Sequence, residues 1–166
     1  IAALLGVAGV FVLRPGDPIL DMHIPNGGQM TPEAAADSLR EAFRFFNARF
    51  PDPPVTAIAS CSWIFSNQID ECLPPEANLA QLIRRLYLLP CASGANNGLW
   101  HVFLQDDGFN PATARRDTSL QRAILDYLAR SANPWHSNAM FILGADLDTP
   151  GTDTYRHGWP PAGLDL

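Results

Sequence analysis

Apolar residues recur with two different periods along the chain, and each period predicts its own kind of element. Leu39, Phe43, Phe46 and Phe50 follow one another at spacings of four, three and four, which places them on one face of a helix. Charged and amide side chains fall on the opposite face. The prolines that follow Phe50 prevent continuation. The pattern therefore predicts a helix over residues 32–49.

Short apolar runs separated by turn residues predict strands. They lie at residues 6–13, 19–24, 55–63, 85–90, 99–105 and 139–143. The first two flank the turn at 14–17 and predict an antiparallel hairpin. The run at 85–90 is followed by a loop rich in Gly and Asn, so we expect 99–105 to pair back with it as a second hairpin.

Helix-start signals separate several of these strands. Asn78 with Gln81, and Thr118 with Gln121, have the spacing of a capping box and predict two further helices, the first over residues 79–84. A short helix is also expected at 66–72. Strands that alternate with helices predict an α/β sandwich on a mixed sheet. We expect one domain over residues 1–148 and a tail over 149–166 that is loop or partly disordered.

Composition excludes several classes of function. The 166 residues carry a formal net charge of −6, which argues against a nucleic-acid partner. All 11 basic residues are arginine, so a Schiff-base lysine and a phosphate-loop lysine are excluded. The apolar segment 1–13 lacks a basic start and is too short to span a bilayer, so we expect neither a targeting segment nor a membrane partner.

The cysteines and acidic residues indicate no metal site. Three widely spaced cysteines predict neither a disulfide framework nor a set of metal ligands, and they favour a cytoplasmic protein. The acidic pairs at 106–107 and 146–148 lack the further regularly spaced oxygen ligands that calcium needs. We therefore expect no metal cofactor.

The segment from Asp21 to Ala34 has the strongest functional pattern. It is typical of a strand that passes through a glycine turn into a helix. Gly27 and Gly28 allow a ligand to approach the backbone, and Thr31 suits the N-cap position. Free N–H groups at a helix N-terminus favour an anion such as a phosphate. The alternative is a simple strand-to-helix turn.

Two other residues are candidates for catalysis, each with a structural alternative. His23 ends the predicted strand 19–24 and is a candidate general base, or else a half-buried histidine bonded to the backbone. Cys61 ends the strand 55–63, and as a nucleophile it would need a base such as His23 or His101. A buried strand cysteine is the alternative.

Four phrases of the sequence together resemble a known family. They are PGDPILDMHIP at 15–25, GGQMTPE at 27–33, LPPEAN at 73–78 and RDTSLQR at 116–122. They are similar to the GNAT-like C-terminal domain of bacterial acyltransferase-domain proteins. The resemblance implies a mixed, mostly antiparallel sheet with helices on both faces. It also implies a helical N-terminal domain as a partner within the same protein.

The resemblance assigns roles to the segment 21–34. In GNAT enzymes a strand runs into a loop that binds the pyrophosphate of acyl-CoA at a helix N-terminus, and the next strand splays away. The implied cofactor-binding residues are Met22 and Ile24 at the thioester, Asn67 near the pantetheine, and the loop at the pyrophosphate. That loop comprises Asn26, Gly27, Gly28, Gln29, Met30 and Thr31.

The function implied is that of a GNAT-like domain of an acyl-CoA-dependent N-acyltransferase, with a small-molecule amine as acceptor. Of the residues in this segment, His23 is our candidate for the general base. The usual loop pattern, Gln/Arg-x-x-Gly-x-Gly/Ala, is not matched by PNGGQM at 25–30. That departure leaves open a non-catalytic binding domain that supports a missing N-terminal acyltransferase domain. A cysteine hydrolase that uses Cys61 is a third class.

Overall fold

The computed structural model describes residues 13–24, 30–105 and 109–148. The strands in these ranges are β1 (Ile19–Asp21), β2 (Ala57–Ser62), β3 (Tyr87–Pro90) and β4 (Asn138–Leu143). The helices are α1 (Pro32–Arg49), α2 (Ile69–Cys72), α3 (Asn78–Ile83), α4 (Leu99–Phe103) and α5 (Ser119–Arg130). Two 3₁₀ turns follow β2 and β4, at Trp63–Phe65 and Gly144–Asp148. Most of the predicted strand 6–13 and the tail 149–166 lie outside the described residues.

The described strands form one mixed sheet in the order β1-β2-β4-β3. β1 is parallel to β2, with Ile19 opposite Ala57. β4 lies antiparallel between β2 and β3, and its first residue, Asn138, is opposite both Ser62 and Pro90. The predicted α/β class with a mixed sheet is confirmed.

Helix α1 begins and ends where the sequence predicts. Thr31 has an extended backbone, and its side-chain oxygen accepts a hydrogen bond from the Ala34 N–H at 3.2 Å. Pro32 occupies the first turn, where no intrahelical donor is needed. At the other end, the Phe50 N–H donates to the Phe46 carbonyl at 2.7 Å.

One face of the sheet is buried and the other is partly open. Ile58, Met140 and Ile142 point into a core that also includes Leu39 of α1 and Leu82 of α3. A second core, around the fully buried Trp135, joins α2, α4 and α5. On the opposite face of the sheet, the rings of Tyr87 and Phe141 stack with centroids 4.7 Å apart, and both are only half-buried.

The predicted strand at 99–105 is wrong, because residues 99–103 form helix α4. Leu99 and Phe103 are fully buried at a spacing of four residues, a helical period that a short apolar run can conceal. Gly98 and Leu104 flank the helix in the left-handed conformation, at φ of 77° and 53°. β3 therefore pairs with β4 instead of forming the predicted hairpin.

The two predicted capping boxes have opposite outcomes. At α5 the box is confirmed: the Gln121 N–H donates to Thr118 Oγ1 at 3.1 Å, and the Thr118 N–H donates to Gln121 Oε1 at 3.1 Å. At α3 it is wrong, because the helix begins at Asn78 itself, after Ala77 in the cap position. Gln81 instead donates to the Glu76 carbonyl at 2.9 Å.

Candidate functional site

The pairing of the parallel strands β1 and β2 ends at Met22. The Met22 N–H donates to the Ala59 carbonyl at 3.0 Å, and its own carbonyl accepts from the Ser60 hydroxyl at 3.0 Å. Beyond this point β2 continues to Ser62, whereas residues 23 and 24 are not part of a strand. Within the described ranges, no backbone hydrogen bond joins residues 23 and 24 to β2, so the sheet does not occupy their N–H and C=O groups.

A cavity of about 520 Å³ opens beside this separation. Its walls are residues 19–24, the facing side of α1, and core side chains including Ile58 and Leu82. Along α1 the wall is built from small residues one turn apart (Ala34, Ser38 and Ala42) and ends at Phe46. The volume lies in the range usual for small-molecule sites, and the mostly apolar wall suits a hydrocarbon group.

The N-terminus of α1 forms one end of this region. The Thr31 side chain caps the helix, and Met30 lines the cavity. Arg85, which precedes β3, places its guanidinium 3.6 Å from the carboxylate of Glu33 in the first turn. The predicted loop residues Asn26, Gly27, Gly28 and Gln29 lie outside the described residues.

His23 stands at the cavity wall as one half of an exposed pair. Its Nε2 lies 3.2 Å from Asp21 Oδ2, and the two side chains are 89% and 66% exposed. A carboxylate at this distance favours the tautomer that carries its proton on Nε2 and leaves Nδ1 as the acceptor. The structure therefore places an imidazole beside a carboxylate at the point where residues 22–24 leave the sheet.

Asn67 lies beyond the end of β2, in a polar cluster. Its Oδ1 is 2.9 Å from His136 Nε2. The neighbouring Gln68 is buried, donates to Tyr127 Oη and the Pro134 carbonyl at 3.1 Å each, and accepts from the His136 N–H. This network fixes the chain that leads into β4 against the end of β2.

Cys61 lies on the open face of the sheet, with its sulfur 2.7 Å from the sulfur of Cys91. Loss of solvation raises the pKa of the Cys61 thiol to about 11, and the hydrogen bond with Cys91 acts in the same direction. A thiol with this pKa supplies little thiolate near neutral pH. The geometry gives Cys61 a cysteine as partner, in place of the histidine that a nucleophile would need.

Three features of this region escape the sequence prediction. The stripe Ala34, Ser38, Ala42 could have been found from its four-residue spacing on the predicted helix. Arg85 and Cys91 carry no such signal, since their neighbours Glu33 and Cys61 are distant in sequence.

Among the described residues, no group of three or more His, Cys, Asp and Glu side chains could hold a metal ion. Nor is any helix in the described ranges long and apolar enough to cross a membrane.

Comparisons with known proteins agree with this architecture. The family model described as GNAT-like C-terminal domain matches residues 8–139, and the chain belongs to that family. A search among proteins of curated function finds no match.

Solved acyltransferase structures share the fold. An acyltransferase in complex with decanoyl-CoA superposes with a TM-score of 0.67 at 27% identity, over 79% of this chain and 41% of that one. A complex with CoA and 10C-teicoplanin superposes with a TM-score of 0.67 at 28% identity, over 80% of this chain and 42% of that one. A variant acyltransferase in complex with octanoyl-CoA also superposes with a TM-score of 0.67 at 28% identity, over 80% of this chain and 43% of that one. This chain thus spans about two fifths of each of those proteins.

Proposed function

We propose that this chain is the acyl-CoA-binding domain of an N-acyltransferase that transfers an acyl group to an amine. The observation that carries the proposal is the separation of β1 and β2 at Met22, directly beside an apolar cavity of about 520 Å³. Membership of the GNAT-like C-terminal domain family and the acyl-CoA bound by similar structures support it.

In this proposal the cavity takes the acyl chain. A hydrocarbon chain gains about 0.8 kcal/mol for each methylene that leaves water. The small side chains of Ala34, Ser38 and Ala42 leave room along α1, and Phe46, one turn further on, also lines the cavity. The thioester then lies beside residues 22–24, where Met22 and Ile24 border the same cavity.

The CoA diphosphate is proposed to bind at the N-terminus of α1, held by the loop from Asn26 to Thr31. The helix dipole favours an anion there. Arg85, whose guanidinium lies beside the Glu33 carboxylate in the first turn, is proposed to contact the diphosphate. It would compensate for the arginine that the loop sequence lacks. Asn67, beyond the end of β2, is proposed to contact the pantetheine.

The chemistry proposed is attack of an amine on the acyl thioester. His23 removes the amine proton, and Asp21 holds the imidazole in the tautomer that leaves Nδ1 free. Backbone N–H groups at residues 23 and 24 stabilise the oxyanion that forms. The C–S bond of the thioester then breaks, the His23 imidazolium returns the proton to the leaving sulfur, and CoA leaves as its thiol.

A non-catalytic binding role is the second candidate, favoured by the altered loop at 25–30. The cysteine hydrolase is a weaker candidate, because the raised pKa of Cys61 keeps its thiol protonated. Calorimetric titration with CoA, acetyl-CoA and decanoyl-CoA tests the proposal. We expect binding of all three, with decanoyl-CoA about tenfold or more tighter than acetyl-CoA. Absence of heat and of any thermal shift with every ligand would reject it.

A further inference from the structure

We propose that Cys61 and Cys91 form a redox-active dithiol, which a hydroperoxide oxidises to an intramolecular disulfide. Their sulfur atoms are 2.7 Å apart, although 30 residues separate them in sequence. The reduced pair is the state described here. The proposal is independent of the acyl transfer proposed above.

The sheet holds the two thiols together. Cys61 is opposite Ala139 of β4, and Pro90, immediately before Cys91, is opposite Asn138. The two cysteines therefore flank β4 at neighbouring positions. Ala139 lies between their strands and presents only a methyl group. A larger side chain at this position would separate the sulfurs.

Hydrogen bonds fix the segment that carries Cys91. Its thiol donates to the Ser137 carbonyl at 3.3 Å, and the Ser137 N–H donates to Ser93 Oγ at 3.0 Å. Cys61 is exposed on the open face of the sheet, so a small oxidant reaches it directly. The pair thus combines an accessible thiol with a second thiol held in place to resolve the first oxidation product.

The reaction balances with hydrogen peroxide as oxidant. Because the pKa of Cys61 is raised, the step requires alkaline solution, in which its thiolate forms. That thiolate attacks one peroxide oxygen, the O–O bond breaks, and a sulfenic acid and, with the proton released by the thiol, one water form. The Cys91 sulfur then attacks the sulfenic sulfur, an S–S bond forms, and a second water leaves. Two thiols lose two electrons and two protons in all, and the peroxide is reduced to two waters.

Peptide mapping tests the proposal, with Cys72 as an internal control. The folded protein is treated with hydrogen peroxide in alkaline buffer, its remaining thiols are alkylated in denaturant, and it is digested with proteases that cut after Arg and before Asp. Cleavage before Asp70 and after Arg84 puts each cysteine in its own peptide. We expect a Cys61–Cys91 cross-link, two hydrogens lighter than the sum of its peptides, and alkylated Cys72.

Variants distinguish a specific dithiol from general oxidation. Cys72→Ser should keep the cross-link and melt several degrees higher when oxidised than when reduced, because the bond restricts the unfolded chain. Cys61→Ser and Cys91→Ser should lose both effects. The proposal would be overturned if all three cysteines were alkylated after peroxide, or if Cys61 were over-oxidised without a cross-link. It would also be overturned by cross-links that involve Cys72 or by disulfides that form only between molecules.

Discussion

The Ser60 hydroxyl donates to the carbonyl of Met22 at 3.0 Å, across the last point at which β1 and β2 are joined. This bond ties the strand that bears His23 to the centre of the sheet. Removing it leaves the Met22 carbonyl without its side-chain donor.

Ser60→Ala should therefore lower the free energy of unfolding by about 1 kcal/mol, the usual net value of one hydrogen bond. Denaturation in urea measures this difference. Ser62→Ala, which removes the next hydroxyl along the same face of β2, is the matched control. Equal losses for both variants would mean that the Ser60–Met22 bond has no special part in joining the strands.

His23→Ala should lower the rate of aminolysis of decanoyl-CoA by a small amine by about 10²-fold or more, the range expected for loss of a general base. Release of free CoA thiol measures the rate. Calorimetry on the same variant should show nearly unchanged affinity for decanoyl-CoA, because the imidazole is exposed and its role is proton transfer.

The control for this variant is His101→Ala, whose ring stacks on Trp100 and does not line the cavity. It should keep the parent rate. If His23→Ala and His101→Ala have the same rate, His23 is not the base.

Arg85→Gln should weaken the binding of CoA, acetyl-CoA and decanoyl-CoA by the same factor, because the proposed contact is with the diphosphate that all three ligands share. The loss should shrink as salt is added, since salt screens an exposed charge pair. Arg44→Gln removes an exposed arginine that pairs with Glu41 elsewhere on α1, and it should leave all three affinities unchanged. A loss confined to the long-chain ligand would contradict the assignment of Arg85.

The raised pKa of Cys61 predicts an unusual pH profile of alkylation. Thiolate is the reactive form, so a pKa of about 11 makes iodoacetamide labelling slow near neutral pH and faster by about tenfold per pH unit up to about pH 10. Labelling rates of the Cys61 peptide in Cys72→Ser measure the profile, with free N-acetylcysteine as reference. A plateau at the pH where the reference levels off would show an ordinary thiol.

Gly98→Ala should destabilise the fold by about 2 kcal/mol or more, because Gly98 has φ of +77° and an added Cβ would lie 2.6 Å from Trp63 Cβ. Gly94→Ala is the matched control in the same loop, since no atom lies within 4 Å of its added Cβ. Thermal melting compares the two. Similar melting temperatures would show that the α4 start tolerates a side chain.

Local signals predicted the elements that local chemistry specifies. Thr31 and Pro32 mark the start of α1, and Thr118 with Gln121 marks α5, because each cap is made within a few residues. The signal failed at 99–105, where burial of Leu99 and Phe103 against α5 and Trp135 selects a helix that the apolar run alone does not distinguish from a strand.

The residues of the candidate site likewise fall into those that local sequence predicts and those that it does not. His23, Met22 and Ile24 could be placed from the strand that carries them, and all three border the cavity. Arg85 and Cys91 could not, because each meets its partner through the pairing of distant segments: Arg85 beside Glu33, and Cys91 beside Cys61. Those contacts depend on the sheet order β1-β2-β4-β3, which no local pattern fixes.

We infer that the cavity along α1 holds the acyl chain of an acyl-CoA. Calorimetric titration of Ala42→Phe with decanoyl-CoA and with CoA tests it most directly, because Ala42 lines the cavity and a phenyl ring would fill its middle. Ala48→Phe places the same ring on the exposed side of α1 and is the control. On this inference, Ala42→Phe should weaken the binding of decanoyl-CoA by about tenfold or more and spare that of CoA, while Ala48→Phe should leave both affinities unchanged. Equal binding of decanoyl-CoA by the two variants would contradict it.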